Sequence, residues 1–405
     1  MAASGIILII IAVVFSVLAA IIAKVISAHK KKNNAFLIKY LGNKSERVKT
    51  YRGIPAALIA VLTALIAVWG VVYNVEKNID NAVINANNEY RRTLQDRFSH
   101  ATEQLESSSA YTRVSAINTI AILADEWQQR TDLDPNGTER SLCIEAICAY
   151  LKKPIPQEDE ENEIIVRTAI SRQLSAHLSN DALLSWSDYS FDFSWSVFYN
   201  LDLSASLLRS PNFSNSIFLG GASFRETMFE GVALFSGATF EGEALFWNAT
   251  FEGDASFVSA SFEDGANFRI AKFEGEADFW TATFEGWASF RSVTFEDGAY
   301  FVEVTFEGWA SFDSATFEGL ASFGFAKFEG QADFGSATFE NETRFGSTKF
   351  LSDINFEYSV LNGIILFDSA EFTVGTMVLF PEGYLLLENG LPDGALWVDP
   401  PDPIL

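Results

Sequence analysis

The apolar positions of this chain follow three successive rhythms. The first is two unbroken runs: residues 5–26 are apolar apart from Ser16 and Lys24, and residues 54–73 form a second run opened by Pro55. Runs of about 20 residues match the hydrocarbon thickness of a bilayer, so each predicts a transmembrane helix. Pro55 suits a first helical turn, where its missing N–H is not needed. A cleaved signal peptide fits the first run less well, because no Lys or Arg precedes it. The second rhythm starts at Glu76, where Ile79, Val83, Tyr90, Leu94, Phe98 and Leu105 recur at threes, fours and sevens. That stripe predicts an amphipathic helix continuing from the second span. Three further stripes follow, through Val114, Ile117, Ile120, Leu123 and Trp127, through Leu142, Ala146, Ile147, Tyr150 and Leu151, and through Ile164, Ile165, Ala169, Leu174 and Leu178. Residues 132–137 read as a loop, and Pro154 and Pro156 stop the third helix.

The third rhythm is neither helical nor a simple strand alternation. Phe193, Phe198, Leu203, Leu208, Phe213 and Phe218 are spaced by fives. From Phe224 to Phe356 the spacing alternates between five and six, every site is Phe, and the frame continues through Leu361, Phe367 and Phe372. Two residues before most of these sites stands a small residue, as at Ala233, Ala244, Ala255, Ala266, Ala277 and Ala288. Residues i and i−2 share one face of an extended strand, so each large and small pair can point into a narrow interior. Such spacing predicts a wound coil with corners, its turns stacked through backbone hydrogen bonds. Gly231, Gly242, Gly253, Gly275, Gly286, Gly308 and Gly319 follow Phe-Glu pairs, where a corner is expected to need relaxed backbone geometry. Four faces, two of five and two of six, give a 22-residue coil, and the identical segments 283–290 and 305–312 are offset by that same interval. Other close copies, 271–279 and 326–334, are 55 apart, so a different winding built on the five-plus-six unit stays open. With a 22-residue coil, positions 191–372 make roughly eight coils, a rod about 40 Å long.

These rhythms divide the chain into two transmembrane helices with a basic loop over residues 1–75, a short helical module over 76–182, a beta-helix over 186–375, and a C-terminal cap or tail over 376–405. In the last segment the period is lost, and Tyr384, Leu385, Leu386, Leu387 and Trp397 are expected to cover one open end of the solenoid while the helical module covers the other.

Charge sharpens this division. Lys+Arg 28 against Asp+Glu 53 gives −25, and residues 186–405 alone carry −26. That half is therefore a poor phosphate binder, and its aromatic content argues against disorder. The loop between the apolar runs holds Lys30, Lys31, Lys32, Lys39, Lys44, Arg47, Lys49 and Arg52 against Glu46. The positive-inside rule puts that loop in the cytoplasm and both chain ends outside, as in an inner-membrane protein with an extracytoplasmic soluble part. The loop also suits anionic lipid, which makes the bilayer an expected partner.

Residues 186–372 resemble the pentapeptide-repeat family, a resemblance that rests on the Phe or Leu sites and the small residue two before each. It implies a right-handed quadrilateral beta-helix with both residues inward, from which the six-residue spacings depart. The stretches 140–153, Leu123-Ala124-Asp125-Glu126-Trp127 and 186–193 are similar to membrane-anchored pentapeptide-repeat proteins of actinobacterial type. The resemblance covers residues 98–372 and implies no established biochemical activity.

Candidate chemistry lies in one series of carboxylates. Glu230, Glu241, Glu252, Glu263, Glu274, Glu285, Glu296, Glu307, Glu318, Glu329 and Glu340 recur every 11 residues, so a 22-residue coil sorts them into two columns on opposite faces. Adjacent unit charges about 4.8 Å apart repel by roughly 0.9 kcal/mol in water. The columns suit a solvated ladder that keeps the rod soluble, and a surface for a cationic protein partner or divalent ions. Trp287 and Trp309, on adjacent coils just after Glu-Gly corners, are candidate anchors. Carboxylates in such uniform surroundings cannot divide into acid and base. No phosphate loop, metal motif or nucleophile elbow appears. Cys143 and Cys148 lie about 140° apart on one helix, which disfavours a mutual disulfide and predicts buried thiols. His100 and His177 stand on separate helices with no nucleophile pattern. The expected function is a non-enzymatic, cofactor-free, membrane-anchored scaffold or protein-interaction surface that does not bind nucleic acid directly. The alternative is a DNA-mimic regulator of a topoisomerase or other nucleic-acid enzyme, a role the resemblance implies for some members of the family.

Overall fold

The alternation of five and six reflects two kinds of corner. The structure is a computed structural model and describes residues 20, 24 and 46–400. In it each Phe of the repeat ends or follows a two-residue strand, and the strands stack into four parallel sheets of eight, eight, seven and ten members. We number the faces I to IV in chain order. In a central coil they are Ala288–Ser289, Thr294–Phe295, Ala299–Tyr300 and Thr305–Phe306. Thr283 pairs with Thr305 and Ala288 with Ala310, which fixes the winding as the 22-residue coil. Ten strands on face IV make about nine turns, one more than the spacing alone suggested. The first coil is shorter, since Val197 pairs with Ile217 and Leu207 with Met228. It has close to the length of four strict five-residue arms, and the wide corners then add the extra residues.

Tight corners join faces I to II and III to IV. At the first kind, the Val293 N–H donates to the Phe290 carbonyl at 3.2 Å, and Ser292 holds φ +55°. A three-residue-apart hydrogen bond with positive φ before its donor is the pattern of a type II turn. Wide corners join II to III and IV to I and carry the Phe-Glu-Gly sequence. Their glycines do not serve the backbone freedom expected of them: Gly242, Gly253, Gly275, Gly286, Gly308 and Gly319 have no positive φ. They answer to close approach instead, because a Cβ at Gly308 would lie 2.4 Å from the Gly286 carbonyl oxygen one coil earlier.

Four columns of buried Phe rings fill the interior. Phe290 lies between Phe268 and Phe312, stacked at 4.9 Å from each, and meets Phe279 and Phe301 edge-on at 5.4 and 5.2 Å. Each buried Phe contributes about 1.5–3 kcal/mol from removal of apolar surface from water. The Ala at i−2 leaves room for the rings, and this column too is buried.

Upstream lie four helices: α1 (Glu46–Gln104), α2 (Ala110–Gln129), α3 (Thr138–Leu151) and α4 (Glu160–Leu178). The chain forms two compact units that divide between Ala86 and Asn87. In the second unit Ile117, Ile120, Ile147, Leu151, Ile170 and Leu174 form the helical core. Asp134 accepts from the N–H groups of Thr138 and Arg140 at 2.8 and 3.1 Å and so starts α3. Buried Arg167 on α4 donates to the carbonyls of Leu151, Lys153 and Val197 and to Glu163, which fastens α4 over the first coil. At the far end Leu396–Val398 pairs with Glu371–Thr373, while Leu391 and Ala395 are buried. Cys143 and Cys148 are buried free thiols, each pushed up to about 12 by burial.

The expected pair of transmembrane helices is overturned. Among the described residues no helix is long and apolar enough to cross a membrane. The run 5–26 falls outside the described residues except for positions 20 and 24. The run 54–73 is not a separate helix but an inner stretch of α1, which carries Lys49 and Arg52 before it and Glu76, Lys77 and Asp80 after it. Arg47, Lys49 and Arg52, read as part of a loop, already belong to that helix.

Candidate functional site

Because the core positions are occupied by Phe and Ala, chemistry is left to the corners and to the outward residue of each strand. The Glu series comes from wide corners, which sit diagonally across the coil. Its two columns therefore run along opposite edges rather than opposite faces: Glu230, Glu252, Glu274, Glu296, Glu318 and Glu340 between faces II and III, and Glu241, Glu263, Glu285, Glu307 and Glu329 between IV and I. Some are neutralised locally. Lys272 bridges Glu274 and Glu296 at 2.7 and 2.9 Å, Lys327 pairs with Glu329 at 2.5 Å, and Arg209 approaches Glu230 at 3.6 Å. Asn362 donates to Glu340 at 2.9 Å. Glu285, Glu307 and Glu318 are exposed and form no ion pair among the described residues. Burial and the neighbouring Glu263 carboxylate raise Glu241 above the ordinary carboxylate range, the sign expected for like charges one coil apart. Among the described residues no three acids, His or Cys converge on a point that could hold a metal ion.

Trp287 and Trp309 occupy the same edge on successive coils, but their rings do not pair. Trp287 lies over Gly265 of the preceding coil, where a Cβ would meet its ring at 2.2 Å, and is half-buried. Trp309 is 42% exposed. Across face IV from them, at the tight corner, stand three residues that the count of core Phe sites passed over: Trp280, 49% exposed, Val302, and Phe325, 65% exposed. Phe325 holds φ +58°, in the left-handed region where a bulky side chain is disfavoured. The 22-residue period itself would have found Trp280 and Val302, which share one position of adjacent coils. Face IV is thus bordered by Glu285, Glu307 and Trp309 on one edge and by apolar side chains on the other, with Thr283 and Thr305 between them.

Neither described histidine builds a site. His100 is exposed, beside Gln104. His177 stacks on Trp186 at 3.9 Å, with Nδ1 2.7 Å from the Gln173 carbonyl and Nε2 3.2 Å from Asp125, so it joins α4 to α2 and to the turn that leads into the solenoid.

Comparison with known proteins bears on the solenoid. The family described as pentapeptide repeats matches residues 193–239, 235–283, 271–316 and 312–360. No curated protein and no solved structure matches the chain. The match does not extend to the helices and does not support the membrane-anchored, actinobacterial subtype. With its four-sided coil, its inward Phe at i and its inward Ala at i−2, the segment over residues 193–360 is a run of pentapeptide repeats.

Proposed function

We propose that this protein is a non-enzymatic interaction scaffold whose face IV receives a cationic protein segment carrying an apolar anchor. The observation that carries the reading is Phe325, a large ring kept in solvent on a backbone conformation that favours Gly or Asn, with exposed Trp280 at the same tight corner two coils earlier. Both the conformation and the exposure disfavour Phe there, and its ring pairs with no other aromatic ring among the described residues. The unpaired Glu285 and Glu307 on the other edge supply attraction for Lys or Arg, and Trp309 supplies a second aromatic contact. The test is titration of a fluorescein-labelled peptide of alternating Lys and Leu with the full chain. Phe325→Asn with Trp280→Ser is expected to weaken binding by about tenfold or more, and Glu285→Gln with Glu307→Gln to flatten its salt dependence. Equal binding by the wild type and both double variants would refute the assignment of face IV.

A further inference from the structure

The solenoid half carries only eight basic side chains: Arg209, Arg225, Arg269, Lys272, Arg291, Lys327, Arg344 and Lys349. Six of them are held in ion pairs, Arg209 with Glu230, Lys272 with Glu274 and Glu296, Arg291 with Asp313, Lys327 with Glu329, Arg344 with Glu342 and Lys349 with Glu371. In a segment of charge −26, pairing every cation is the expected outcome. Arg225 and Arg269 break that rule: both are exposed, and neither side chain forms a hydrogen bond or ion pair among the described residues. They are not scattered. Both stand at the tight corner between faces I and II, two coils apart, with Trp247 at the same position of the coil between them. The backbone fixes that alignment, since the Glu226 N–H donates to the Trp247 carbonyl at 2.9 Å and the Asn248 N–H to the Arg269 carbonyl at 3.0 Å.

Three apolar side chains lie around this Arg-Trp-Arg line, among Ser223, Asn267, Asn248 and Thr250. Ile270 is 42% exposed on a φ of +61° on the coil of Arg269, Met228 is exposed on face II on the coil of Arg225, and Leu245 is the outward residue of face I on the coil of Trp247. Arg, Trp and Met are the residues enriched where proteins bind one another, and an Arg-flanked Trp is the composition of a binding hot spot. Glu226, next to Arg225, is exposed and does not pair with it. Lys272 bridges Glu274 and Glu296 on the far edge of face II and offsets one of their two charges, which lowers the local negative field.

From this we infer that the corner between faces I and II is a docking surface for an acidic amphipathic helix, separate from face IV and independent of the reading given for it. Successive coils are about 4.8 Å apart, and successive turns of a helix about 5.4 Å. A helix lying along the solenoid axis therefore presents a carboxylate, an apolar side chain and a carboxylate on consecutive turns to Arg225, Trp247 and Arg269. Each guanidinium takes a carboxylate in a bidentate pair, and the apolar residue covers the Trp247 ring together with Leu245 and Ile270.

The probe is a fluorescein-labelled helical peptide with Glu, Leu and Glu on consecutive turns of one face, followed by fluorescence anisotropy against the full chain. Saturable binding that weakens with added salt is expected. Arg225→Glu with Arg269→Glu should weaken it by about tenfold or more. Lys327→Glu with Lys349→Glu, the same charge change on face IV, should leave it within about twofold of the wild type. Trp247→Ala should weaken it at high salt as well as low, because it removes an apolar contact. Circular dichroism checks that the outward-facing Arg variants keep the fold. Absence of saturable binding, or equal loss in the two charge-reversed double variants, would overturn the proposal.

Discussion

Two phenylalanines in one solenoid should respond to substitution in opposite ways. Phe290 is fully buried, with two stacked neighbours at 4.9 Å and three edge-on neighbours at 5.2, 5.4 and 5.8 Å. Phe290→Ala deletes a ring from a column whose backbone is held by coils on both sides, so the gap cannot close. Loss of transfer free energy plus the cavity amounts to about 3–5 kcal/mol. Phe325 is 65% exposed and sits at φ +58°. Phe325→Asn removes little buried surface and replaces a disfavoured left-handed residue by one that tolerates that conformation, a gain of up to about 1 kcal/mol. Urea unfolding of the full chain, followed by far-ultraviolet circular dichroism, measures both against the wild type. A solenoid couples each coil mainly to its neighbours, so the midpoint and the slope are compared together. If Phe290→Ala lost less than about 1 kcal/mol, or if Phe325→Asn lost as much as Phe290→Ala, the stacked-ring account of stability would be refuted. Phe325→Asn should also gain stability while weakening the binding proposed for face IV, a pairing that a purely structural Phe325 would not show.

Two further tests follow from the corners and the helical module. Gly308→Ala should destabilise by about 1–3 kcal/mol or more, since its Cβ would lie 2.4 Å from a backbone oxygen, whereas Gly324→Ala, with nothing nearer than 3.7 Å, should be close to neutral; similar melting temperatures for the two would remove close approach as the reason for glycine. His177 has an acceptor at each ring nitrogen, an arrangement that only the doubly protonated ring satisfies. Burial pulls His177 down, but Asp125 and the Gln173 carbonyl outweigh it and leave the group raised above its ordinary value. Its stabilisation is then full below the unfolded value of about 6.5 and is lost as pH rises through the higher folded value. The stability difference between wild type and His177→Gln should shrink as pH rises, and a constant or growing difference in denaturation midpoints would count against the charged ring.

The solenoid was legible because its rule is written into every unit. A Phe at i, a small residue at i−2 and the alternation of five and six leave few ways to bury so many rings. The coil length became fixed only with the register of Thr283 on Thr305, since a pattern that repeats after every two arms does not say how many arms close a turn. The reason for the glycines was not legible, because close approach between coils arises from atoms a full coil away along the chain and leaves no mark on the local sequence. The apolar run 54–73 misled for a related reason: composition within a window does not show that the helix continues through charged residues on both sides. The Glu columns were found and the unpaired cations were not. Only the ion-pair geometry separates Arg225 and Arg269 from Arg291, which has the same position and spacing but a partner in Asp313.

A repeated charge can attract a partner but cannot say where along the rod it should stop. Each Glu column offers nearly the same environment at every coil, so sliding a cationic segment by one turn changes its energy little. The register must come from residues that occur once. Wide corners admit few of these, since they are constrained by Glu for solubility and Gly for coil spacing. Tight corners are freer: their third residue needs only to tolerate positive φ, a role filled by Asn248, Ser259, Ser292, Ser314, Ser336 and Ser347 at low intrinsic penalty. Trp195, Ile270, Phe325 and Tyr358 occupy that same position with bulky, exposed side chains against the preference of the backbone. A departure from a local rule that leaves a bulky side chain exposed marks a place where folding alone did not choose the residue. The two proposed surfaces both include such a position, Phe325 beside face IV and Ile270 beside the Arg-Trp-Arg line. Exchanging Ile270, Phe325 and Tyr358 for Asn should therefore raise the stability of the solenoid and, at the same time, weaken the binding of both probe peptides. A variant more stable than the wild type that still bound both would separate the tight corners from recognition altogether.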